Sequence, residues 1–81
     1  MVRYDKAYWG AIAVAREVGI SLRQLYYWVH VLHAVKPRAQ RHGKRLFQYF
    51  TAVDLRTLKN IKRLTEQGFT LRAAVRKVKR R

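Results

Sequence analysis

ISLRQLYYW, residues 20–28, carries the start signal of a helix. Ser21 is an N-cap residue, whose hydroxyl oxygen can accept from the first free backbone N–H groups. Gln24 completes a capping-box pattern of the S-x-x-Q type. Gly19 stands just before, where a preceding helix needs a left-handed stop. EVGISLRQ therefore reads as helix, tight turn, helix. The second helix carries Arg23, Gln24, Tyr26 and Tyr27 in its first two turns. Those side chains suit a groove or a phosphate better than a core. A short helix, a glycine turn and a second helix with polar and aromatic residues near its start make a helix-turn-helix arrangement.

Upstream, AIAVAREV (11–18) places Ile12, Ala15 and Val18 on one helical stripe, with Arg16 and Glu17 outside it. Before it, Tyr4, Tyr8 and Trp9 either pack under this helix or form a short strand. Asp5 and Gly10 are alternative caps. Downstream, the second helix is expected over 21–33, with Leu22, Leu25, Trp28, Val29 and Leu32 facing the core. Arg23, Gln24, Tyr27 and His30 then point away. Pro37 is expected to end the helical region, because the residue before a proline prefers extended backbone.

Residues 36–50, KPRAQRHGKRLFQYF, hold five basic residues and no acid. Around Gly43 the pattern turns, and Leu46, Gln48 and Phe50 alternate with Phe47 and Tyr49. That is a strand signature after a glycine turn, hence a β-hairpin. With helices on both sides and a basic tip, it reads as a wing. Thr51 and Asp54 form a second capping box at the start of a helix over 51–67. Its apolar stripe is Leu55, Leu58, Ile61 and Leu64, and Gly68 is its stop. Thr70 caps a last helix whose apolar face is Leu71, Ala74, Val75 and Val78. Residues 77–81 form a basic tail that is expected to fray. Trp9, Trp28, Phe47, Phe50 and Phe69 are assigned to the core. The fold class is mainly α, a winged helix-turn-helix followed by two C-terminal helices, in one domain spanning 1–81.

The chain has 81 residues, enough for a single thin core. Nineteen Lys and Arg against four Asp and Glu give a formal net charge of +15. Self-repulsion on that scale calls for a polyanionic partner. The chain has no cysteine, so it offers no disulfide frame and no thiolate metal site. The N-terminus does not read as a signal peptide, and no apolar run approaches the ~20 residues that span a bilayer. A cytoplasmic, nucleoid-associated location is expected.

IAVAREVGISLRQLYYW, then KP, then the basic glycine hairpin, then FTAVDLRTLKNIKRLTEQGFTL resembles the DNA-binding domain of MerR-type transcription regulators. The resemblance covers roughly residues 8–78. It implies double-stranded DNA as partner, bound as a homodimer on a two-fold symmetric site. Recognition helices would enter major grooves, and wings would touch the flanking backbone. Ser21, Arg23, Gln24 and Tyr27 fall on the family's recognition-helix contact positions, and Arg45 falls near the wing arginine. Tyr26 stands where the family often carries arginine. The stretch from Gly43 to Phe50 is longer than the family's usual wing. The family's long dimerisation helix and effector domain are expected to be missing, and with them any small-molecule effector site.

For each candidate a plainer role competes. Arg23 can donate two parallel hydrogen bonds to guanine or grip a phosphate; it can also be merely solvated. Gln24 is either a base contact or only the cap partner. Tyr27 can set its hydroxyl on a phosphate or simply pack. Lys36, Arg38, Arg41, Lys44 and Arg45 suit phosphate or minor-groove contact. Arg56, Lys59 and Lys62 either line the backbone beside the wing or face water. His30 and His33 have i, i+3 spacing, yet without cysteine or a nearby acid they make a poor zinc pair. No metal site, cofactor or catalytic set is expected, so the chain is not read as an enzyme. The expected function is a sequence-specific DNA-binding regulator. The rival is an excisionase-like or packaging-type architectural DNA binder of a virus or mobile element.

Overall fold

The computed structural model describes residues 8–79. Its elements run β1 (Tyr8–Gly10), α1 (Ala11–Val18), α2 (Leu22–His30), β2 (Arg38–His42), β3 (Arg45–Thr51), α3 (Ala52–Glu66) and α4 (Leu71–Lys79). The strands form one antiparallel sheet in the order β1-β3-β2. The architecture is the expected helix-turn-helix, hairpin wing and helical pair. The lead-in forms a strand over Tyr8–Gly10, with Gly10 as the cap of α1. Tyr4 and Asp5 lie outside the described residues.

The turn between α1 and α2 is built from two local devices. Gly19 adopts φ 87°, ψ 36°, and the N–H groups of Gly19 and Ile20 both return to the Ala15 carbonyl. A residue without Cβ takes that left-handed conformation without strain. Ser21 Oγ then accepts from the Gln24 N–H at 3.0 Å, and Gln24 Oε1 accepts from the Ser21 N–H at 2.9 Å. The box is closed in both directions. Ser21→Ala removes one half of it without touching the core. It is expected to lower stability by about 1 kcal/mol, read as a shifted urea midpoint at unchanged slope. Thr51 and Asp54 close the same reciprocal box at the start of α3, at 3.1 and 3.2 Å. Thr70 Oγ1 caps α4 by accepting from the Ala73 N–H.

The core collects one stripe from each element: Val14, Ala15 and Val18 from α1, Leu25, Trp28 and Val29 from α2, Phe50 from β3, Leu58 and Ile61 from α3, and Ala74 and Val75 from α4. Leu22, Leu32, Leu55, Leu64, Leu71 and Val78 pack around its edge. The described region has no buried polar or charged side chain. Burying Leu25, Trp28 and Val29 turns the opposite side of α2 to solvent.

The structure corrects five expectations. Ile12 is 65% exposed, and Val14 takes its place in the core stripe. α2 ends at His30, well before Pro37. The chain then bends, with His33 at φ 53°, so that Ala34 and Val35 can be buried; a helix continued to residue 33 would carry them off the core. His30 and His33 therefore do not share a helix face. Phe47 and Phe69 are 38% and 40% exposed, each with a cation over its ring, Arg45 at 5.4 Å and Lys77 at 5.6 Å. For Phe47 the reason is strand alternation, which sets it on the face opposite Phe50. Lastly, residues 77–79 of the basic end belong to α4, and Lys79 Nζ donates to the His33 carbonyl at 2.9 Å, while residues 80 and 81 lie outside the described residues.

Candidate nucleic-acid interface

Two elements present cations side by side. The first is the outward side of α2. Ser21, Arg23, Gln24, Tyr26, Tyr27 and His30 are all exposed there. Helical spacing sets Arg23 and Tyr27 at the centre of that side, opposite the buried stripe. Tyr26 and His30 lie one turn apart, with ring centroids 5.9 Å apart. The Ser21 hydroxyl spends its oxygen on the cap and keeps its hydrogen for a further acceptor. Gln24 is held the same way by its carbonyl oxygen, so its NH2 group is the end left over.

The second element is the β2–β3 ribbon. Its two-residue turn, Gly43 and Lys44, joins the pair His42↔Arg45. Gly43 has φ 65°, which suits the glycine-first turn that matches the twist of two antiparallel strands. Register then distributes the wing cations. Arg41 faces Leu46 across the ribbon and shares the side of Gln48 and Phe50, toward the helices. Arg38 faces Tyr49 and belongs with Arg45 and Phe47 on the other side. Lys44 is at the tip, and Lys36 is exposed on the connection leading into β2. A ribbon with long cationic donors on both sides and at its end can hold phosphates from more than one direction.

Helix and ribbon are adjacent. Gln48 Nε2 stands 3.5 Å from His30 Nε2. Between the elements runs an open groove of about 720 Å³, whose walls include Ile12, Leu22, Tyr26, Leu46 and Phe47. The contact between His30 and Gln48 is absent from the sequence reading. The two residues are 18 apart, and no local pattern links them. A second open cleft, about 420 Å³, lies where the end of α2 meets α4, between Val31, Leu32 and the cations Arg72, Arg76 and Lys79. The i, i+4, i+7 spacing of those three cations is the sequence signal that sets them on one helix face.

No acid occurs between Glu17 and Asp54, while that stretch holds six Lys and Arg. The described acids are engaged elsewhere. Glu17 pairs with Lys59 at 3.4 Å, Glu66 pairs with Lys62 at 2.9 Å, and Asp54 is a cap. The face formed by α2 and the wing thus carries Arg23 and the wing cations with no acid among its described residues. The same pairs bear on Lys59 and Lys62, which are ion-paired, whereas Arg56 faces solvent. Among the described residues no three His, Cys, Asp or Glu stand close enough to hold a metal ion. No helix there is long and apolar enough to cross a membrane.

Residues 12–80 match the family model for the MerR HTH family regulatory protein. No curated protein matches the chain.

Proposed function

The chain belongs to the MerR HTH family of regulatory proteins, and from that membership we propose that it is a sequence-specific transcription regulator of duplex DNA. The family is one of DNA-binding regulators that often act as dimers, not of enzymes. In the proposed complex α2 enters the major groove and the β2–β3 wing lies along the neighbouring backbone. Arg23 reads a base, while Ser21, Tyr26 and Tyr27 contact the strand beside it. Lys36, Arg38, Arg41, Lys44 and Arg45 neutralise phosphates. The protein works at the nucleoid in the cytoplasm, as a homodimer on a two-fold symmetric site. One observation carries the reading: the exposed Arg23 side of α2 and an acid-free cationic ribbon share one face.

Selection of bound sequences from a random duplex pool tests it. A two-fold symmetric consensus is expected, and no consensus at all would end the claim of sequence specificity. A footprint over promoter elements supports the regulator, and one over an attachment or packaging site would support an architectural role instead. Arg23→Ala is expected to weaken the selected site by about 1–3 kcal/mol and leave random duplex nearly unchanged. Equal loss on both would make Arg23 a phosphate clamp.

A further inference from the structure

The capping box constrains more than the start of α2. Gln24 has one carbonyl oxygen and one NH2 group with two donors. The backbone N–H of Ser21 can only donate, so the atom 2.9 Å from it must be the oxygen. The backbone N–H of Gln24 is tied in turn to Ser21 Oγ at 3.0 Å, which keeps the side chain folded over its own helix end. The NH2 group is therefore the part of Gln24 that an approaching duplex meets. Glutamine reads adenine by presenting oxygen and nitrogen side by side to N6 and N7. That pairing is closed to Gln24 while the box stands.

We propose that Gln24 is a donor-only base reader, selecting a major-groove keto oxygen, guanine O6 or thymine O4, and not the adenine pair usual for glutamine. This rests on the DNA-binding reading above and adds to it the class of base group recognised. Gln24 sits in the first turn of α2, the part of a recognition helix that reaches base edges. It is exposed, next to Arg23, on the face without acids. Opening the box to free the oxygen would leave the Ser21 N–H without its acceptor, which disfavours the adenine mode.

Two substitutions separate the possibilities. Gln24→Glu keeps the box, since glutamate is an equally good partner at that position and a negative charge suits a helix N-terminus. It replaces the outward donors by an acceptor. Gln24→Ala removes the outward group without adding charge. Selection from a random duplex pool is run on the wild-type chain and both variants, with thermal melting as the fold control. Wild type is expected to enrich guanine or thymine at one position of each half-site, by about ten-fold over adenine. Gln24→Ala should flatten that position alone. Gln24→Glu should melt no lower than wild type and shift the position toward cytosine or adenine, whose amino groups donate. Identical base preferences in all three proteins, with or without uniform weakening, overturn the proposal and leave Gln24 as a cap. A Gln24-dependent preference for adenine overturns it too, because adenine offers no keto oxygen in the major groove, only N7 beside an amino group. If wild type enriches no duplex sequence, the specific DNA-binding reading falls first and takes this one with it.

Discussion

Raising salt from about 50 to about 200 mM is expected to weaken the complex roughly 500-fold, if Lys36, Arg38, Arg41, Lys44 and Arg45 each neutralise one phosphate. Every neutralised phosphate releases its condensed counterions, and a slope near −0.9 for each gives about −4.5 in log K against log salt. The magnitude depends on those cations being unspent in the free protein. Among the described acids none is near enough to spend them: Glu17 and Glu66 are paired on α3 lysines, and Asp54 is a cap. Arg45 lies over the Phe47 ring at 5.4 Å, which steadies the guanidinium face and leaves its N–H edges for a phosphate. Fluorescence anisotropy of a labelled duplex at several salt concentrations measures the slope. Replacing Arg41 and Arg45 together by alanine should flatten it by about 1.8. The two residues point to opposite sides of the ribbon, so an unchanged slope would mean that neither side touches the backbone. Arg23→Ala, by contrast, should lower affinity with little change of slope if the guanidinium is on a base. The slope thus separates wing from helix without a structure of the complex.

What could be read from the chain divides by range. The box at Ser21 and Gln24, the box at Thr51 and Asp54, and the stop at Gly19 were all legible, since each is closed within a few residues and its spacing is its geometry. The hairpin was legible for the same reason, and β3 alternation already implied that Phe47 and Phe50 oppose one another. Assigning both to the core overlooked this. The end of α2 was hidden, because it is set by the burial of Ala34 and Val35 against elements far along the chain. Ile12 was misassigned because α1 has barely two turns, and Ile12 or Val14 completes a stripe with Ala15 and Val18 equally well. The choice between them follows from β1, which pairs Tyr8–Gly10 with Tyr49–Thr51 and sets the rotation at which α1 begins. At the site, the residue types on α2 were legible, and the adjacency of helix and wing was not. It depends on packing through Phe50 and on the contact between His30 and Gln48.

Phe50→Ala is expected to cost about 3–5 kcal/mol, the range for truncating a buried aromatic. Phe50 has no exposed surface, faces Trp9 across the β1–β3 pairing, and fills the space where β3 meets α1 and α3. A chain of 81 residues has roughly 4–12 kcal/mol of stability to lose. The variant should therefore show a sharply lowered melting temperature and, near the low end of that range, a substantial unfolded fraction at 25 °C. Phe47→Ala is the matched control: the same residue type three positions away, on the solvent side of the same strand, expected to shift stability by no more than about 1 kcal/mol. The pair also distinguishes loss of fold from loss of contact. DNA that binds only the folded state adds RT ln(1 + [L]/Kd), about 2.7 kcal/mol at a hundredfold excess over Kd. Excess duplex should accordingly raise the melting temperature of Phe50→Ala, because the substitution removes no cation from α2 or the wing and the folded form can still bind. If Phe50→Ala instead melts like the wild type, β3 is not wedged between the helices as described, and the adjacency of α2 and the wing loses its physical basis.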